Sequence, residues 1–218
     1  MYSFNCVRNS YIIGFSIISL FMYFFWVTIY FIFRGEGTLP LYVKSYMVIS
    51  PIIWIIAALC VAGYLFENKK GYKIYYLNIY MAINMIFANS IVLNAGMLYF
   101  IGMNYENQDV FNYWLYNLFI LFMSMVGLVL FGRNAWESEV TRLTKFLRNL
   151  GIVIIIGTLL ALAIIWIVAP TIGDESRAFF IELMFLALTN LLNIRAFFHY
   201  QLAKDEINGV GKIDSESN

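Results

Sequence analysis

Hydrophobic and polar positions divide this chain into six long apolar runs, at about 11–33, 46–66, 76–101, 111–132, 150–170 and 178–199. Tyr11–Phe33 passes without a charge, too long for the h-region of a signal peptide and followed by no small-x-small cleavage site. A spanning helix needs about 20 apolar residues. The runs therefore predict an all-α integral membrane protein, a six-transmembrane-helix bundle, with domain bounds 1–200 and a polar cytoplasmic tail over 201–218.

Two boundaries invite closer reading. Ser50-Pro51 suits an N-cap followed by the first helical position, which predicts a late start for the second span and an interfacial Tyr42–Ile49. Between the fourth and fifth runs, Trp136, Val140, Leu143 and Leu147 recur at i, i+4, i+7 and i+11. That spacing predicts an amphipathic helix within Arg133–Asn149, lying at headgroup level or extending the fourth span. Trp136, Arg142, Lys145 and Arg148 then form a cytoplasmic surface for anionic lipid or a docking protein.

The last run is the least uniform. At about 100° per residue, Glu182, Thr189, Asn193 and Tyr200 project within about 20° of one another, with Asn190 beside them. Such a stripe is expected to face protein or water, not lipid. The third run carries Asn78, Asn84, Asn89, Ser90 and Asn94 in several directions, as in a helix surrounded by others. Hydrogen bonding between helices accounts for these groups, and a polar lining for an ion or substrate is the alternative. The two polar helices are expected to meet inside the bundle or at an oligomeric axis. Glu182 lies five residues past Arg177, about 7.5 Å along a helix, which predicts a shallow residue near headgroups or water. Arg195 and His199 are expected to snorkel to the cytoplasmic surface. Gly157-x-x-x-Ala161 and Ala58-x-x-x-Ala62 place small residues one turn apart, a spacing that lets helices approach closely.

Composition supports this architecture: of 218 residues 62% are hydrophobic and 12% charged, with 19% aromatic, against about 25% charged in soluble domains. Lys and Arg divide unevenly between the two sides. Arg8, Lys69, Lys70, Lys73, Arg133, Arg142, Lys145, Arg148, Arg195, Lys204 and Lys212 fall on one side, and Arg34, Lys44 and Arg177 on the other. Both termini are therefore expected in the cytoplasm, and a bacterial inner membrane is the expected setting. With 14 basic and 13 acidic residues, nucleic acid is not an expected partner.

Catalytic signatures are lacking. One histidine and two separated cysteines, Cys6 and Cys60, predict no metal, cofactor or disulfide framework. Gly209-Val-Gly-Lys212 lacks the first glycine and final hydroxyl of a phosphate loop. The expected function is a non-enzymatic polytopic membrane subunit that senses a membrane event or docks a cytosolic partner. It is expected to be a homo-oligomer, and the class includes accessory proteins of phage defence and toxin immunity. The alternative is a small oligomeric channel or transporter, with the polar faces of the third and sixth helices lining its path.

Overall fold

The structure, a computed structural model, describes residues 2–32, 40–62, 73–137 and 140–208, without the side chains at 13, 15, 16 and 56–62. These residues form seven helices: α1 Tyr2–Arg8, α2 Tyr11–Ile32, α3 Leu41–Ala62, α4 Ile74–Tyr105, α5 Phe111–Asn134, α6 Arg142–Val168 and α7 Arg177–Asn208. The last four are each long and apolar enough to cross a membrane, and α2 and α3 contain shorter apolar stretches, Ile17–Ile32 and Leu41–Ile55. On α6 the buried residues Gly151, Ile155, Thr158, Leu162 and Ile165 form one stripe. The opposite face exposes Val153, Ile156, Leu160, Ile164 and Ile167. A helix that is apolar on its exposed face as well as its buried one belongs in lipid. This is a helical membrane protein.

α4 is the central helix, the most buried of the long four. α7 runs antiparallel to it: Tyr99 packs on Phe179 with ring centroids 4.4 Å apart, while at the other end Tyr200 donates to Asn78 Oδ1 at 2.6 Å. α2 lies beside α4 in parallel, linked from Ser10 to Asn84 and from Ser19 to Ser90. α5 is parallel to α7, with Ser124 bonded to Asn190 and Gln201 to the Arg133 carbonyl. Both ends of the described chain reach the same end of the bundle, where Ser3 donates to Glu206 at 3.2 Å.

Several boundaries differ from the sequence reading for identifiable reasons. α3 begins at Leu41 and passes through Pro51, so Ser50-Pro51 does not start it and Tyr42–Ile49 is helical. Proline removes the N–H that would bond the carbonyl four residues back. That carbonyl belongs to Met47, and the Tyr23 hydroxyl on α2 donates to it at 2.8 Å. The segment Gln201–Asn208, read as tail, extends α7. It contains good helix formers and is held by the Gln201 and Glu206 bonds.

The amphipathic pattern across Arg133–Asn149 is not one helix. α5 stops at Asn134, and α6 starts after Thr141, whose side chain accepts from the Thr144 N–H while Thr144 Oγ1 accepts from the Thr141 N–H. This reciprocal cap satisfies donors that a continuous helix would spend on the preceding turn. α1 had no counterpart among the predicted elements. It is short, and it is held by Phe4 and Val7, both fully buried.

The α4–α5 connection closes with a Schellman motif. Asn107 takes φ 56°, its N–H bonds the Asn104 carbonyl, and the Gln108 N–H bonds the Met103 carbonyl. Asn tolerates this left-handed backbone and β-branched residues do not. Asn107→Val is expected to lower stability by about 1–2 kcal/mol, and Asn107→Gly to leave it nearly unchanged, as read from thermal unfolding in detergent.

Candidate functional site

Two apolar clusters fill the bundle. One gathers Trp26, Tyr46, Phe100, Trp114 and Phe179 toward the α4–α5 turn, and the other gathers Phe4, Phe87, Leu128, Phe197 and Tyr200 toward the chain ends. A layer of polar side chains separates them, with contributions from Ser19 of α2, Ser90 of α4, Ser124 of α5, Thr158 of α6, and Thr189 and Asn190 of α7. All but the half-buried Ser90 are buried. Some are closed within their own helix: Thr158 donates to the Ile155 carbonyl, and Thr189 to those of Phe185 and Leu186. Others cross between helices. Ser124 donates to Asn190 Oδ1 at 3.0 Å, and the Ser19 and Ser90 hydroxyls lie 3.3 Å apart.

Asn94, one turn beyond Ser90, ties three helices together. Its Oδ1 accepts from Trp26 Nε1 at 3.2 Å and the Tyr46 hydroxyl at 2.9 Å, and its Nδ2 donates to Ser19 Oγ at 2.7 Å. Asn84 plays a similar part near the chain ends, donating to the Val7 carbonyl and accepting from Ser10. Asn89 is half-buried and bonds within its helix to the Met85 carbonyl. Asn78 is exposed apart from its bond with Tyr200. The third run's asparagines therefore divide into two interhelical anchors and two peripheral groups.

On α7 the stripe read from the sequence is wholly buried: Glu182, Thr189, Asn190 and Asn193 are at most 4% exposed. Glu182 is at 0%, so its shallow position along the helix does not bring it to water. The reason lies on α4, where a Cβ on Gly96 would overlap the Glu182 carboxylate. The missing side chain makes a notch into which the carboxylate packs. Neither Glu182 oxygen has a hydrogen-bond partner in the protein, and the same holds for both polar atoms of Asn193 and of Asn117. Asn117, fully buried on α5, faces Glu182. Sequence reading missed Asn117, an isolated asparagine in an otherwise apolar run. Its seven-residue spacing from Ser124, two helical turns, is the signal that places both on one face. Among the described residues, no three His, Cys, Asp or Glu side chains gather where they could hold a metal.

Residues 4–208 match the family DUF5079, described as a domain of unknown function. The chain belongs to the DUF5079 family. No curated protein and no solved structure matches it. The family match takes in every described helix of this DUF5079 chain, from within α1 to the end of α7, including the polar layer and the Gly96–Glu182 contact.

Outside the bundle's interior, the chain-end face of the DUF5079 fold carries the remaining predicted groups. Trp136 turns inward, packing on Phe131 and Phe198, each with centroids 5.6 Å away. It also lines a polar groove of 290 Å³ with Glu137, Thr141, Thr144, Gln201, Lys204 and Asp205. Arg142 and Lys145 are exposed and Arg148 half-buried on the first turns of α6, next to exposed Val140, Leu143 and Phe146. Arg195 is exposed and its guanidinium sits 4.7 Å from the centre of the Tyr11 ring. At the opposite end, the Thr171 hydroxyl and the Gly173 N–H donate to Glu175 Oε2 at 2.6 and 2.8 Å. These bonds, the hydroxyl's first, hold the Glu175 carboxyl below the usual carboxylate range.

Close glycine contacts within the bundle lie between α5 and α6 and between α4 and α7. A Cβ on Gly157 would meet nothing, so of Gly157-x-x-x-Ala161 only Ala161 packs within the bundle. Gly127 and Gly151 bring α5 and α6 together instead. The side chains of Ala58, Cys60 and Ala62, and residues Arg34, Lys69, Lys70, Glu139 and 209–212, lie outside the described residues.

Proposed function

We propose that this protein is a non-enzymatic polytopic membrane subunit, with six spans and both termini in the cytoplasm of a bacterial cell, that docks a partner at its chain-end face. The observation that carries this reading is the polar groove beside Trp136, Thr144, Gln201 and Lys204, at the end where the ends of the described chain meet. Gln201 fixes the α5 end by bonding the Arg133 carbonyl, so the groove is preformed. Exposed Arg142 and Lys145 border it with positive charge, and exposed Leu143 and Phe146 add apolar surface. The partner is a cytosolic protein or another copy of the chain, as in accessory proteins of toxin immunity or phage defence.

Site-specific photocrosslinking from Thr141 and Lys204 in native membranes tests this. A discrete adduct that is reduced about tenfold by Arg142→Glu with Lys145→Glu is the expected result, equivalent to about 1.4 kcal/mol of binding. Adducts with lipid alone argue against docking.

The buried polar groups of α5 and α7 favour a second reading, a channel or transporter. Asn117, Glu182 and Asn193 retain buried polar atoms without protein partners, as a path for ions or substrate would require. Ion flux in liposomes that disappears in Glu182→Ala and in Asn193→Leu is the expected result under this reading. Undiminished background leakage in both variants argues against it.

A further inference from the structure

Glu182 is the sole charge on α7 between Arg177 and Arg195, and it sits in a setting that a carboxylate tolerates poorly. It is fully buried, and neither oxygen is bonded within the protein. A charge in such surroundings needs a compensating positive charge, because transfer out of water is otherwise too costly. No described side chain supplies one. α2, α4 and the spanning part of α6 beyond Arg148 carry no charged residue. On α5 the only charge is Arg133, at the far end, and on α3 it is Lys44, which is exposed. Arg177 is 73% exposed and paired with Asp174. Glu175, an acidic group at that end, is bound to Thr171 and Gly173. Tyr46 from α3 is a titratable neighbour close enough to feel a charge on Glu182, and its hydroxyl is already donated to Asn94.

A metal ion fits this place badly. Hard cations gather about six oxygens, and the polar groups facing this carboxylate are few, Asn117 foremost among them. The carboxylate also fills the Gly96 notch, leaving the α4 side closed. A proton needs no cavity. It neutralises the acid and gives it one donor, and the Asn117 carboxamide offers an acceptor without a partner.

We propose that Glu182 is a proton-binding site inside the bundle, exchanging with water at the α4–α5 turn end. One O–H bond forms on the carboxylate with a proton from water, and that hydrogen is donated to Asn117 Oδ1. Release returns the proton to water and leaves an uncompensated anion against Gly96. The first turns of α7 must then separate from α4 for the anion to be hydrated. Proton occupancy thus controls the α4–α7 contact. This inference is independent of docking at the chain-end face, which lies at the other end of α7.

A hydrophobic carbodiimide, which tags protonated carboxyls in apolar surroundings, tests the site on full-length protein in liposomes, with the tag located by peptide mass. Glu182 is expected to be tagged in acidic medium, and tagging to fall at least about tenfold as the medium is made alkaline. Glu182→Gln is expected to lose the tag while keeping the unfolding temperature. Constant tagging across this range overturns the proposal, because the proton would then not exchange. Absence of tagging at every pH overturns it too, and so does protection by sodium at fixed pH, which would make a metal cation the occupant.

Discussion

Asn94→Leu is expected to destabilise the bundle by about 2–4 kcal/mol, the sum of several orphaned groups, since each lost interhelical bond in a membrane costs about 0.6–1.7 kcal/mol and each buried unpaired group about 1–3. The Asn94 side chain uses both oxygen lone pairs and both amide hydrogens. Leucine would leave Trp26 Nε1, the Tyr46 hydroxyl and Ser19 Oγ without this partner at once. All three lie in an apolar cluster or the layer beside it, with Trp26 and Ser19 at 0% exposure. Asn89→Leu is the comparison. Asn89 is half-buried and bonds only the carbonyl of Met85 on its own helix, so its replacement is expected to cost less than about 0.5 kcal/mol. Thermal unfolding in mixed micelles measures both, and Trp26 fluorescence reports the local change. Equal effects for the two substitutions would show that Asn94 is no anchor.

The same contrast explains what could be read from the sequence. Uncharged runs made the long helices visible, because one element's own length and polarity decide whether it suits a bilayer. The buried stripe of α7 was visible too, as its residues share a face at helical spacing. What Glu182 packs against was not: its burial depends on Gly96, on a helix more than eighty residues earlier in the chain, and on Asn117 from a third helix. Helix ends were read from loss of hydropathy, which misplaces α7. Lys204, Asp205 and Glu206 end the apolar pattern without ending the helix. The α5–α6 junction misled in the opposite sense, since its period of 3.6 continues across Thr141, where hydrogen bonding starts a new helix. α1 carries too few residues to show a period, and only its docking on α7 reveals why it forms.

Gly151→Leu is expected to force α5 and α6 apart, with a loss of at least about 3 kcal/mol, at the upper end of overpacking costs. A Cβ at this position would lie 2.5 Å from the Phe131 nitrogen and 2.7 Å from the Gly127 carbonyl oxygen. Both are backbone atoms of a helix, which cannot rotate aside as a side chain can. Even Gly151→Ala is therefore expected to destabilise by about 1–3 kcal/mol, despite the better helix propensity of alanine. Gly157 separates the two effects. It lies on the same helix with open space where its Cβ would be, so Gly157→Ala is expected to be neutral or to stabilise by up to about 1 kcal/mol. Opposite signs for one substitution, six residues apart on one helix, distinguish backbone contact from helix propensity. Unfolding temperatures in detergent supply the measurement, and cysteine crosslinking between Phe131 and Leu150 positions follows the gap between the helices. If Gly151→Ala behaves like Gly157→Ala, then α5 and α6 do not meet through their glycines.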